Sequence, residues 1–446
     1  GYDFSHDLLR ETAYDQVSPP KRWLLHQRIA QSLELLHADD ADLVAAPLAE
    51  QYARGGRPAR AVACYQRAAG VAAGMFAYDE AIRLHKEALS IIRGMPAGRG
   101  KDGQELGVLQ AMAAPLNARF GYSSRELQQT LERSIALAES LRRPDSTLTG
   151  LVALWTSRFV QGRTADAYQT ATRALELAEP GSALSGLAHF AVGGSALSLG
   201  RPAEAVRHLE LAASLTTEAV SLSVGTRPEV HAMAWAAHAH WLLGHDGDAQ
   251  LSSDGAVKLA RAIDHPYNLA VALAYCAITS QMRGDVASLR DTVAELRELC
   301  DRHGFAYYRE WALILDGWSR RDEPGIAIAR RGIDNLKSAG SFARMPYWLS
   351  LLADLSAQGC QPDAARATLD AAVVAARTRS DLWWLPEVLR LRAAFDQGQA
   401  AISRLRSAAQ LASAHGSTAL LRRCERDLTD LTAGGRTRTL RERHRT

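Results

Sequence analysis

"SGLAHFAVGGSALSLGRPAEAVRHLELAASL" (residues 185–215) decides how this chain folds. An apolar run stops at Gly200-Arg201, Pro202 follows, and a second apolar pattern starts around Ala205. Glycine takes the left-handed backbone that ends a helix without a steric cost. Proline is tolerated in the first turn of a helix, where its missing N–H would have had no partner. The stretch therefore predicts a hairpin of two helices, A and B, with the small Ala205 letting them approach closely.

The phrase recurs as Gly56-Arg57 before Ala61, Gly162-Arg163 before Ala167, Gly244-His245 before Ala249 and Gly359-Cys360 before Ala365. Looser copies stand at Gly121-Tyr122, Gly284-Asp285 and Gly398-Gln399. The glycines at 121, 162, 200, 244 and 284 are 41, 38, 44 and 40 residues apart. From 284 to 359 is 75, close to two periods, with Asp322 marking a degenerate copy between them, and 39 more residues lead to 398. Pro58, Pro202 and Pro362 each open a helix B. Strand signals are missing: there is no sustained alternation and no Asn-Gly turn. A lone hairpin cannot bury its apolar face, so the copies must stack, and the expected fold is an all-α solenoid of about nine hairpins.

Composition narrows the function classes. The 446 residues are 47% hydrophobic and 23% charged, ordinary for a well-buried protein. A net charge of +3 is too small to make nucleic acid or a membrane surface the main partner. Cys64, Cys276, Cys300, Cys360 and Cys424 are odd in number and scattered, which argues against a disulfide framework or a zinc ribbon and makes a reducing cytoplasm the expected compartment. No apolar run approaches the roughly 18 residues of a membrane span.

The repeated phrase resembles the tetratricopeptide repeat (TPR), best in 185–215 and again in "APLAEQYARGGRPARAVACYQRAA" (46–69). The usual TPR period is about 34. Copies near 40 resemble the longer, MalT-like variety, which implies a right-handed superhelix over about residues 42–430. The opening "YDFSHDLLRETAYDQVSPPKRWLLHQRIAQSLE" (2–34) is similar to the junction that follows the nucleotide-binding and winged-helix module of bacterial STAND-class ATPases, through Phe4, His6, Leu8, Arg10, Tyr14, Arg22, Leu25 and His26. The segment 347–395 is similar to the end of the TPR arrays in antibiotic-regulatory (SARP) and LuxR-type ATP-binding regulators. The implied division is 1–37 as the end of the ATPase junction, 38–432 as the TPR superhelix and 433–446 as a basic disordered tail. The implied role is a sensor or interaction domain of a SARP-like regulator of secondary-metabolite genes. It would bind a protein, a peptide, a small-molecule effector or its own ATPase module, with DNA bound only by an N-terminal domain outside this chain. Rival readings are a LuxR-type regulator, the helical tail of an ATPase-coupled cyclase or kinase, and a free-standing TPR scaffold.

Candidate chemistry is sparse. "GMPAGRGKDG" (94–103) resembles a phosphate loop but misplaces its first Gly, has Asp102 where Ser or Thr is needed, and follows no strand, so it reads as a flexible inter-repeat loop. No ATP binding, cofactor or covalent catalysis is expected. His231, His238, His240 and His245 cluster without HExxH and without a carboxylate at ligand spacing on their helix face, so no metal site is expected. Most of Trp155, Trp235, Trp241, Trp311, Trp318, Trp348, Trp383 and Trp384 should be packing between helices. TPR geometry, counted back from the turns, points His231, Ala234, His238 and Trp241 into the groove, with Gln281, Arg309, Asp316 and Arg320 from the next repeats. Leu187, Phe190, Gly194 and Leu197 would line the preceding repeat. The expected ligand or partner groove is thus His231, His238, Trp241, Gln281, Arg309, Asp316 and Arg320.

Overall fold

The computed structural model describes Thr12 and residues 14–75, 77–215 and 227–433. Within them lie 21 α-helices and no strand, as the period requires. Phe4, His6, Leu8 and Arg10 of the junction motif, and the basic tail from residue 434, fall outside the described residues. The chain forms two compact units, Gly1–Arg143 and Pro144–Thr446.

The first unit holds α1 (Pro19–Leu36), α2 (Ala45–Arg54), α3 (Pro58–Gly74), α4 (Tyr78–Arg93), α5 (Arg99–Phe120) and α6 (Arg125–Ser140). Ser18 is extended and Pro19 opens α1, where its missing N–H needs no partner. His26 is buried on α1; the Tyr14 hydroxyl donates to its Nε2 (2.8 Å), and its Nδ1–H donates to Gln51 Oε1 (2.7 Å). That assignment leaves no ring nitrogen idle. Gly56 (φ 67) and Gly121 (φ 76) turn the hairpins α2/α3 and α5/α6. Val62, Tyr65, Leu84, Ile92 and Val108 knit α3, α4 and α5 into one core. One expectation is corrected here. Residues 94–103 are not all loop, because α5 already starts at Arg99. Lys101 Nζ donates to the carbonyls of Arg93 (2.9 Å) and Met95 (3.2 Å), capping the end of α4 and folding the connection back on it.

The second unit holds seven hairpins: α7 (Pro144–Val160) with α8 (Thr164–Leu177), α9 (Ala183–Ser198) with α10 (Pro202–Leu215), α11 (Pro228–Leu243) with α12 (Asp246–Ile263), α13 (Pro266–Arg283) with α14 (Val286–His303), α15 (Ala306–Arg320) with α16 (Glu323–Ser338), α17 (Met345–Gln358) with α18 (Pro362–Arg379), and α19 (Leu385–Ala393) with α20 (Gly398–Ala414). A last helix, α21 (Thr418–Thr432), follows. Gly162, Gly200, Gly244 and Gly284 are left-handed, at φ 71, 78, 87 and 80. At two copies the expectation shifts by a residue. Arg321 (φ 57) carries the left-handed turn beside Asp322, and Cys360 (φ 59) carries it after Gly359. Gly359 serves closeness instead, since a Cβ there would meet Ile326 Cδ1 at 2.8 Å.

The ends of the A helices explain how this unit closes. The last carbonyls of a helix have no partner within it. Val160 O at the end of α7 accepts from the backbone N–H groups of Phe342 (2.8 Å) and Ala343 (3.1 Å). Ser198 O at the end of α9 accepts from Leu382 (2.6 Å) and Trp383 (3.2 Å). Leu242 O accepts from Ser417 Oγ (3.4 Å), and Met282 O from the Arg423 guanidinium (2.7 Å). Segments far along the chain thus cap the early A helices, and the inner faces of the hairpins meet each other.

Candidate functional site

What fills the inside of the second unit is an aromatic column. Trp235 on α11 packs against Trp155 (6.2 Å between ring centres), Phe159 (5.2 Å), Phe190 (5.3 Å), His231 (5.1 Å) and Tyr275 (5.7 Å). The column continues through Trp311, Trp348, Tyr347, Trp383 and Trp384. Most of these tryptophans are therefore core, as expected. Arg344, itself left-handed at φ 60 and only 2% exposed, sits among the rings: 5.0 Å from Tyr275, 5.1 Å from Trp383 and 5.8 Å from both Trp235 and Trp311. The ring faces replace water around its charge. Burial pushes the neighbouring Asp381 carboxyl up to about 7 although Arg344 and Arg379 pull it down. Neither of its oxygens has a side-chain partner; Arg379 acts on it through space, and Arg344 through both its charge and its backbone.

This interior redistributes the residues expected in a groove. His238 is wholly buried, its Nε2–H donating to Tyr275 O (3.0 Å), and His231 is partly buried with both ring nitrogens away from solvent. Burial holds the His231 ring down to about 3 and His238 well below the usual imidazole range, with Arg344 adding to both effects. Arg309 is exposed and pairs with Glu310 (3.2 Å), while Asp316 bridges Arg297 (2.7 Å) and Arg320 (3.0 Å). Trp241 packs at a tilt against Trp384 (6.0 Å) under the Arg423 guanidinium (4.8 Å), and Gln281 Oε1, near the end of α13, accepts from Tyr347 Oη (2.8 Å).

Gln281 also lines a cleft of about 650 Å³ walled by α13, α14, α15, α17, α19 and α21. Its walls carry six arginines, Arg283, Arg290, Arg321, Arg390, Arg423 and Arg426, against three carboxylates, Asp354, Glu387 and Asp427. The carboxylates are already engaged. Arg390 grips Glu387 with two parallel bonds (2.7 and 2.8 Å) and reaches Asp427 with its third nitrogen (2.6 Å). Arg423 adds a 2.9 Å bond to Glu387. Burial alone would raise the Glu387 carboxyl, but Arg390 and Arg423 bring it down to about 2. Asp354 accepts from the Trp318 indole (2.9 Å). Arg283 is held by Asp246. Arg290 spends a guanidinium N–H on Ser319 O (2.7 Å), Arg321 lies over the Trp318 ring (5.3 Å) and the exposed Arg426 faces the opening; none of the three has a carboxylate partner among the described residues. The cleft is thus cationic, with tryptophan in its walls and a buried ionic lattice beside it. Sequence reading missed most of it. The Glu387/Arg390 pair inside an apolar helix was a visible signal, and Arg423 and Arg426 stand on a helix that carries no copy of the phrase.

No family model matches the chain. It is 24% identical over 451 residues to an uncharacterized protein of Rhizobium meliloti (strain 1021), an alignment that takes in 96% of this chain and 43% of that protein. The chain thus spans less than half the length of that relative. Among solved structures, a Rap protein complexed with Competence and Sporulation Factor superposes at a TM-score of 0.52 with 14% identity, over 84% of this chain and 98% of that one. The APC/C hetero-tetramer Cut9–Hcn1 superposes at 0.37 with 14% identity, over 93% and 98%. The Rap likeness places the fold: the chain is a TPR-like helical solenoid.

Proposed function

We propose that this chain is the interaction or sensing module of a larger regulatory protein and that its cationic cleft takes an anionic ligand. The observation that carries the reading is the cleft itself: Arg290, Arg321 and Arg426 line one opening without carboxylate partners among the described residues, beside a buried ionic lattice. Protein-binding solenoids recognise partners by local groove chemistry. Here that chemistry suits an acidic segment with an apolar or aromatic body, because charge-assisted bonds from guanidinium groups lie beside tryptophan faces. Gln281 is kept as a contact and Trp241 as the support beneath Arg423. His231 and His238 would act from below, by holding the column under the cleft.

The larger protein is proposed to be a STAND-class, SARP-like transcriptional regulator, with residues 1–37 as the junction to its ATPase module. The support is the resemblance of the opening segment, to which the bonded pair Tyr14–His26 belongs, and a relative more than twice as long as this chain. In that setting the cleft would either hold an external effector or dock the ATPase module, and occupancy would shift the regulator between states through differential affinity. Charge reversal at Arg321 and Arg426 (R321E/R426E) in the full-length gene product tests the cleft. Tryptophan fluorescence titrated with a poly-glutamate peptide should show salt-sensitive binding that the double variant weakens at least about tenfold, the scale of lost interface hot spots. Equal binding by both proteins would overturn the cleft assignment. Transcript profiles that do not change when the gene is deleted would overturn the regulator reading.

A further inference from the structure

The turn between α11 and α12 gathers donors that no single helix face displays. His240, in the last turn of α11, His245, the residue before α12, and Asp248, in its first turn, each offer a ligand atom, and these atoms all lie within 4.8 Å of one another. The left-handed Gly244 makes this possible, reversing the chain so that residues five and eight positions on return to His240. The His245 N–H donates to His240 O (2.9 Å), which pins the two backbones together. Glu210 Oε1 on α10 lies 3.5 Å from His240 Nε2, outside this set of donors but placed to orient the ring.

The state of each donor supports a cation rather than a closed hydrogen-bond cluster. The His240 side chain is 10% exposed, and its Nδ1 is buried without a hydrogen-bond partner. His245 and Asp248 are exposed and free to adjust their rotamers. Neighbouring Asp246 is not available, since Arg283 holds both of its oxygens at 2.9 Å. A tetrahedral ion with bonds of about 2.0–2.1 Å sets its donors roughly 3.4 Å apart, so rotation of the two exposed side chains closes the set.

We infer that His240, His245 and Asp248 form a binding site for a divalent transition-metal ion, with Glu210 of the adjacent hairpin orienting the His240 ring. Two imidazoles and one carboxylate suit zinc, cobalt or nickel better than magnesium or calcium, which require mainly oxygen donors. The ion would pin the α11/α12 turn. That turn already packs against α21, where a Cβ on Gly244 would meet Thr418 at 3.3 Å, so metal occupancy would brace the closure of the second unit. The site is separate from the cationic cleft and does not depend on how that cleft is read.

The test uses tag-free, chelator-treated full-length chain. Titration with Zn²⁺ by calorimetry at pH 7.5 should show one equivalent bound, and Co²⁺ should give the visible absorption of a tetrahedral nitrogen and oxygen site. H245A, at an exposed position, should weaken binding by at least about a hundredfold, and E210Q by roughly 10–100-fold. D246N should leave affinity unchanged. Circular dichroism checks that each variant folds. The inference fails if the folded wild type binds no stoichiometric Zn²⁺, or if H245A and D248N bind it as the wild type does.

Discussion

Gly194→Ala is the perturbation that interrogates the interior most directly. A Cβ built on Gly194 would stand 2.1, 2.4 and 2.8 Å from Cζ3, Cη2 and Cε3 of Trp235. Carbon atoms in contact prefer about 3.5–4.0 Å, so the indole must withdraw by about 1.5 Å. It has nowhere to go, because Trp155, Phe159, Phe190, His231 and Tyr275 box it on its other sides. Overpacking of a tight core costs about 1–3 kcal/mol, and the confinement places this case toward the upper end. Alanine recovers about 1 kcal/mol of helix propensity that glycine forgoes. The net expectation is a loss of about 1–2 kcal/mol, read as a lower urea midpoint followed by tryptophan fluorescence, with an altered near-ultraviolet dichroism spectrum. Trp235→Leu in the Gly194→Ala background should recover part of the aromatic clash, which a loss of backbone flexibility could not explain. If G194A is as stable as the wild type, or more so, with an unchanged aromatic spectrum, then Trp235 does not rest on Gly194 and the filled interior is wrong.

Three further outcomes follow from the same geometry. Ala205 has no exposed surface, and a Cβ on the facing Gly193 would already lie 3.2 Å from Ala205 O; A205W should therefore wedge α9 from α10 at a cost of about 1–3 kcal/mol or more, and an unchanged melting temperature would contradict that packing. Burial holds the His85 ring down to about 4; the folded ring stays neutral while the unfolded one takes a proton below about 6.5, so stability of the first unit should fall as pH drops from about 6.5 to 4, by about 3 kcal/mol from this residue. H85Q should flatten that slope in urea titrations across the same range, and parallel slopes would refute the assignment. Removing Arg390 leaves Glu387 and Asp427 buried together, so R390M should lower the stability of the second unit by about 3–5 kcal/mol; a smaller loss with normal poly-glutamate binding would show that the lattice does not set the cleft floor.

Local chemistry in the chain was enough to specify the hairpins. Glycine at 56, 121, 162, 200, 244 and 284 takes the left-handed turn, and proline opens α3, α10 and α18, because backbone preference at a turn is a property of a few adjacent residues. The period then implied stacking, since each hairpin has an apolar face to bury. What sequence could not reveal is how far that stacking turns. The groove-facing positions follow from local helix geometry, but their fate depends on residues about 140 to 184 positions away: Phe342 on Val160, Leu382 on Ser198, Arg423 on Met282. Those contacts draw the inner faces together, bring Trp235 onto Gly194 and place Arg344 among four rings. They also assemble the cleft from six helices whose arginines look, in sequence, like scattered surface charge. Periodicity records which face of a helix is apolar; it holds no information about which distant helix end will cap a carbonyl or leave a guanidinium without a partner. The hairpin was written in neighbouring residues, whereas the filled interior and the cationic opening exist only because the second unit closes on itself.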